Sequence, residues 1–271
     1  DTPVYFYAQL SKPMDKVVSW REGRIESNSN PERISGKNAG MAVRFKTEKD
    51  EKVMLKVAIS YVSVEQARKN MLTELSGWDF EQVKQSSFSE WNDWLGRIEV
   101  EGGSREQQIK LYTDLWHALL GRHVVSDADG HYMDMTSDFP RIRQIPLGED
   151  GKPLYNHHNF DAWWGSHWSL NILWSMAYPE VMDNFCNTMI DMYQNGGLIP
   201  RGPSGGNYTY VMIGDPAVSF FASAYNKGIR NYDAELAYEG LRKNAFVGGI
   251  RDHAGYEHSK TAYSGGMKYY E

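Results

Sequence analysis

Cysteine is almost missing from this chain. Cys186 is the only one in 271 residues, so no internal disulfide can form and cysteine usage says nothing about redox compartment. Positive charge is scarce too. Lys and Arg number 29 against 35 Asp and Glu, for a net charge of -6. With a pI near 5.8 and no basic run, a nucleic-acid partner is disfavoured. No apolar stretch approaches the ~20 residues of a membrane helix. A phosphate-cradling glycine loop, a dinucleotide fingerprint and a His-x-x-x-His zinc pair are all lacking. The chain opens at Asp1 with neither an initiator Met nor a signal peptide, which reads as a processed or trimmed N-terminus.

Aromatic residues are abundant. They make up 13% of the chain, with 9 Trp and 17 Tyr. Hydrophobic and charged fractions of 41% and 24% are ordinary for a globular protein, and the length allows one large domain or two small ones. Four Trp fall between Trp163 and Trp174, within a stretch from His157 to Pro216. There two apolar helical segments flank a loop, Pro200-Arg201-Gly202-Pro203-Ser204-Gly205-Gly206. Flat indole faces beside polar loops suit a sugar ring, whose C–H face is apolar and whose rim is hydroxyls. Filling a helical core is the alternative use of the same residues.

Periodicity divides the chain. Residues 4–8, 16–20, 39–46 and 52–62 read as strands. The last is the clearest, with Val53, Leu55, Val57, Ile59 and Tyr61 alternating with their neighbours. Asn- and Gly-rich breaks at 28–30 and 36–38 separate them. Ser63 with Gln66 opens a helix, Asp79 opens a second, and Ser104 with Gln107 opens a third. Residues 121–151 read as loop and hairpin. An Asp-Gly turn at Asp127-Ala128-Asp129-Gly130 is expected to join Val124-Val125 to His131–Met133; a calcium-loop fragment is the alternative. From residue 161 helices follow at 161–177, 180–193, 216–227 and 233–243. The first is apolar nearly all round, so it is expected to be enclosed by others. Stacked helical hairpins of this kind suggest an α/α toroid.

Several residues are chemical candidates. Asp215 before Pro216 reads as a helix N-cap ahead of a catalytic carboxylate. Arg201, held between Pro200 and Gly202-Pro203, could present a guanidinium fork to hydroxyls or a carboxylate. His157, His158 and His167 read as polar loop residues, as do His253, Glu257 and His258, which match no defensible zinc motif. Trp163, Trp164 and Arg201 are expected to line a sugar-binding cleft, with His157 and Asp161 at its edge.

Taken in order, several segments match one pattern: Val57 to Ala67, Gly77-Trp78-Asp79-Phe80, Ile98 to Gly103, Leu111-Tyr112-Thr113 with Trp116 to Leu119, Asn159 to Trp163, Gly196 to Arg201, and Gly214 to Ala217. As a set they resemble glycoside hydrolase family 92, the calcium-dependent exo-acting α-mannosidases. The resemblance implies an α+β chain. It would hold an N-terminal antiparallel β-sandwich portion (1–62), a helical linker (63–103) and the first half of an (α/α)6 barrel (104–271). It implies an inverting Glu acid and Asp base acting on an α-1,2-mannoside, calcium to distort the sugar, a mannose-containing glycan as partner, and a periplasmic or secreted location.

Two departures stand out. Where the family reads Trp-Asp-Thr-Phe-Arg, this chain has Trp163-Trp164-Gly165-Ser166-His167. Neither catalytic motif of the family occurs before Glu271. The expectation is therefore a portion of a mannosidase, inactive by itself, with acid, base and metal ligands not placed. A non-catalytic glycan-binding or structural module on the same scaffold, or another (α/α)6 carbohydrate-active enzyme, are the other readings.

Overall fold

A computed structural model describes residues 3–26, 34–160, 163–208 and 214–250. The first part is built of two small antiparallel sheets. In one, β1 (Tyr5–Leu10) pairs with β5 (Leu55–Ser60), placing Phe6 opposite Ile59 and Ala8 opposite Val57. In the other, β2 (Lys16–Arg21) lies between β3 (Arg24–Ile25) and β4 (Gly40–Arg44). The period-2 alternation works as a strand pattern should, but with its apolar side outward. Phe6, Leu55, Val57 and Ile59 are exposed, while Tyr5, Tyr7 and Ala58 turn toward α1 (Val64–Glu74).

Local chemistry sets the helix starts. Ser63 caps α1 by accepting from the Gln66 amide at 3.1 Å. The reciprocal half of the box is missing, because the Gln66 side chain reaches Asp129 at 3.2 Å instead. Asp79 caps α2 (Phe80–Leu95) through the Gln82 amide. Ser104 and Gln107 form the complete reciprocal box at α3 (Arg105–Leu120).

The 121–151 region corrects the expected hairpin. The Asp127–Gly130 turn exists, with Gly130 at φ 84, yet the strands beside it pair elsewhere. Residues of β6 (His123–Val124) pair with β9 (His158–Asn159), and β7 (His131–Asp134) pairs with β8 (Arg141–Gln144). Burial of Asp127 explains the difference. Its carboxylate accepts from Ser60 Oγ at 2.9 Å and Asn70 Nδ2 at 2.7 Å, so the turn is fastened to β5 and α1.

The expected helix 161–177 is also divided. A 3-10 turn, Trp163–Trp168, precedes α4 (Leu170–Ala177). Gly165 weakens helix there, and Ser166 Oγ satisfies the Trp163 carbonyl locally. Nor is this segment enclosed on every side, since Ile172 and Met176 of α4 are exposed. Then come α5 (Pro179–Gly196), a hairpin of β10 (Pro203–Ser204) and β11 (Asn207–Tyr208), α6 (Pro216–Asn226) and α7 (Ala234–Asn244). One core cluster joins α3, α4, α5, α6 and α7 around Trp163, Trp174, Phe185 and Phe220. The chain is thus α+β, with small antiparallel sheets followed by packed helices, and the described residues form no closed helical barrel.

Candidate functional site

The aromatic turn splits its tryptophans between two environments. Trp163 is 0% exposed. Its ring meets Phe185 and Phe220 edge-on, at centroid distances of 4.9 and 3.8 Å. Trp174 stacks on the same Phe185 with planes 7° apart and donates its indole N–H to the Ala118 carbonyl at 3.2 Å. Trp164 behaves differently. It is 55% exposed and packs edge-on against Trp168, itself 63% exposed, with centroids 5.9 Å apart. The His167 ring lies 3.5 Å from that of Trp168. The open aromatic surface is therefore Trp164 with Trp168.

Arg201 is buried among backbone carbonyls. Its Nε donates to Gly214 O and one terminal nitrogen donates to Ile250 O, both at 2.7 Å. The guanidinium thereby ties the loop after α5 to the start of α6 and to the segment after α7. The adjoining glycines serve close packing: a Cβ on Gly202 would run into Trp163 and the Phe160 carbonyl, and one on Gly206 into the Met133 carbonyl. An open concavity shared by Trp163, Trp164 and Arg201 is not what the described residues form. Trp163 and Arg201 are both buried, whereas Trp164 is exposed. Asp161 lies outside the described residues, as do His253, Glu257 and His258.

The expectation of His157 and His158 as polar loop residues is corrected, for both are buried. His157 lies flat on Tyr132, centroids 4.1 Å apart, and His158 stacks on Phe185 at 4.6 Å. Desolvation drives both imidazoles down to about 3. Beside His157 sits Asp191 of α5, which accepts the Tyr155 hydroxyl on both carboxylate oxygens at 2.9 Å. Burial pushes the Asp191 carboxyl up to about 7, with Asp134 adding repulsion. Burial raises the Tyr155 and Tyr132 hydroxyls strongly as well. Sequence reading missed this group. The available signal was an acid set between Ile190 and Met192 in an otherwise buried helix stretch.

Asp215 stands at the N-cap position of α6 with Pro216 next, but its side chain does not accept from the first helical amides. The calcium question turns on which carboxylate oxygens are available. Asp127 is held by Ser60 and Asn70, and Asp129 by Gln66 and His131, with Lys69 3.5 Å away. Among the described residues no group of three or more His, Cys, Asp or Glu is arranged to hold a metal ion. Those residues do not fit a calcium site. A concavity of about 370 Å³ lies nearby, lined by Ser60, Asn70, Glu74 and Asp127 among others. Burial raises both Glu74 and Asp127 there.

Comparison with known proteins gives a consistent result. The model of the glycosyl hydrolase family 92 N-terminal domain matches residues 1–60, and that of the family's catalytic domain matches residues 66–271. A protein of Arthroderma benhamiae described as an uncharacterized secreted glycosidase is 26% identical over 214 residues, covering 77% of this chain and 22% of that protein. A family 92 inverting mannosidase from Bacteroides thetaiotaomicron VPI-5482 superposes with a TM-score of 0.76 at 22% identity, over 92% of this chain and 33% of its own. A family 92 α-mannosidase from Bacteroides thetaiotaomicron gives 0.76 at 25% identity, covering 90% and 32%. The latter is also similar in complex with mannoimidazole, at 0.75. The chain spans a third or less of the length of these relatives.

Proposed function

This chain belongs to glycosyl hydrolase family 92, and from that we propose that it is part of an inverting α-1,2-mannosidase acting on mannose-containing glycans. The observation that carries the reading is the family match along nearly the whole chain, supported by the likeness to α-mannosidases, one of them holding mannoimidazole. Its units are proposed as a sandwich portion (1–62), a helical linker (63–103) and half of a helical barrel (104–271). The two family models meet between residues 60 and 66, which supports the first boundary. The secreted description of the fungal relative supports a secreted or periplasmic enzyme. No helix among the described residues is long and apolar enough to cross a membrane.

In this reading Trp164 makes the sugar contact. Its exposed face offers C–H/π stacking worth about 1 kcal/mol beyond burial, in place of the acid common at this position. Asp161 is proposed as its polar neighbour, with Trp163, Arg201 and His157 as the wall behind. Calcium is proposed for the whole enzyme, with ligands outside the groups described above. The chain itself supplies support for the sugar-facing turn. General acid and base are assigned to neither its described nor its other residues, since the family's two catalytic motifs do not occur in it.

The test compares the 271-residue chain with the gene's full product on α-1,2-mannobiose. The full product releases mannose, first as the β-anomer by NMR, and loses activity with a calcium chelator. The chain alone releases none above a mock preparation. Trp164→Ala in the full product raises KM about fivefold, the equivalent of ~1 kcal/mol. Failure of the full product on every α-mannoside would overturn the reading. The exposed Trp164–Trp168 pair also favours a second reading, a glycan-binding module without hydrolysis. Saturable glycan binding by the full product without mannose release would establish it.

A further inference from the structure

We propose that His157 and Asp191 form a proton-dependent latch that fastens the segment between β8 and β9 to α5. The two side chains lie side by side, His157 fully buried and Asp191 mostly so. His157 Nε2 is 4.0 Å from Asp191 Oδ2, and neither imidazole nitrogen has a hydrogen-bond partner among the described residues. Tyr132 covers the imidazole face, and Tyr155 donates to the carboxyl from the same segment that carries His157. A buried imidazole without partners and a buried carboxyl within reach of it are costly when separate, and one proton between them relieves both.

The surroundings decide which protonation state is held. Facing Asp191 are Tyr155 and His157 from the segment, Tyr132 and Asp134 from β7, and Arg143 from β8. Arg143 is the one cation among them, and Asp134 engages it at 3.0 Å. Asp191 is left with a hydroxyl donor, an unfilled imidazole and a repelling carboxyl. A neutral carboxyl fits that setting, because its own O–H can turn to His157 Nε2 while it still accepts from Tyr155. Once the proton is lost, a largely buried carboxylate remains beside a neutral imidazole, with the Tyr155 hydroxyl as its donor.

Around His157 the segment is otherwise held by a short set of bonds, among them the Val125 amide on the His157 carbonyl at 2.8 Å and the Thr188 hydroxyl on the Asn156 carbonyl at 3.5 Å. The His157 amide donates to Ser126 Oγ and the His158 amide to Thr188 Oγ1 of α5, each at 3.1 Å. The strand that follows places Asn159 Oδ1 on the Gly205 amide and Phe160 against Trp163. Loosening His157 therefore loosens the approach to the aromatic turn. The latch is shut below neutrality and opens as the shared proton leaves.

Hydrogen exchange of the intact 271-residue chain tests this through the amides of Leu154, His157 and His158. After correction for intrinsic rates, their protection is expected to fall at least tenfold between pH 6 and pH 8.5. Asp191→Asn should hold protection within twofold over the same range, because its amide can accept from Tyr155 and donate to His157 at any pH. An equal fall in both proteins would overturn the proposal. Should the Asn variant lose its cooperative melt, the carbon-13 titration of the Asp191 carboxyl in the unmodified chain decides. A midpoint above pH 6 supports the latch, and one at or below pH 6 overturns it.

Discussion

Trp163 meets Phe220 edge to face, ring centroids 3.8 Å apart and planes at 85°. That contact locks the 3-10 turn onto α6, and it separates two adjacent indoles into different roles. Trp163 is a core side chain, whereas Trp164 presents a face to solvent. Trp163→Ala should lower stability by about 3–5 kcal/mol, the usual cost of removing a large buried aromatic. Trp164→Ala should shift it by less than about 0.5 kcal/mol. Urea melts of the two variants check the contrast, and equal losses would place Trp164 in the core as well.

Close packing behind the turn gives the next expectation. The Cβ built on Gly202 collides with the Trp163 ring and the Phe160 carbonyl, and neither can retreat without disturbing Phe185 and Phe220. Gly202→Ala should therefore cost about 1–3 kcal/mol, as overpacking does. Gly165→Ala is its control, because nothing lies within 4 Å of a Cβ there. A melt in which both substitutions are silent would show that the loop has room to spare.

Acid stability follows from the buried imidazoles. In the unfolded chain His158 takes up its proton near 6.5, but in the fold only near about 3. Between those values the unfolded state binds more protons, so stability climbs as pH rises from about 3 to 6.5. His157 contributes in the same direction. Asp191 opposes them. Its proton is held from 3.8 in the unfolded chain up to about 7 in the fold, so its contribution declines as pH rises across that interval. Glu74 and Asp127, also raised by burial, oppose them in the same sense, so the rising part of the slope below pH 6.5 is the share of the two imidazoles. His158→Phe should flatten it, since the ring stack on Phe185 survives and the titrating nitrogens do not. Denaturant midpoints at pH 4, 5.5 and 7 read the slope, and an unchanged slope would remove His158 from the account.

How much of this was legible in the sequence depends on whether a residue's fate is local. The helix starts at Ser63, Asp79 and Ser104 were legible because a cap is decided within four residues. The alternation of Val57 and Ile59 was legible as a strand, though not which face would be covered. The Asp127 turn shows the limit. Its loop chemistry was right and its strand partners were wrong, because Ser60 and Asn70 draw it toward β5 from more than fifty residues away. The site divides the same way. Trp163 and Trp164 are identical as letters, and only the packing of Phe185 and Phe220 against one side of the turn tells them apart. Arg201 looked like a free fork because Pro and Gly surround it, and its carbonyl partners at Gly214 and Ile250 lie 13 and 49 residues onward. His157 and Asp191 became a pair only through tertiary placement.

The last prediction concerns the sheet of β1 and β5. Phe6 lies opposite Ile59, Ala8 opposite Val57 and Leu10 opposite Leu55. Phe6, Leu55, Val57 and Ile59 are 64%, 60%, 47% and 52% exposed, so one face of the ribbon is an unbroken apolar strip. The other face is occupied by α1, so the strip cannot be hidden by turning the sheet over. Apolar surface of this kind drives association. The isolated 271-residue chain should therefore self-associate at micromolar concentration and bind a hydrophobic dye, in the manner of exposed sheet faces rather than of an unfolded chain. The double variant Phe6→Thr with Ile59→Thr puts β-branched strand formers at both positions of a cross-strand pair and removes its apolar surface. It should move the chain toward monomer in sedimentation velocity while leaving the melting temperature within a few degrees. If the unmodified chain sediments as a monomer across that range, the strip is not sticky enough to matter. If the double variant associates as strongly as its parent, the surface responsible lies elsewhere, and the exposed Trp164–Trp168 pair becomes the next to substitute.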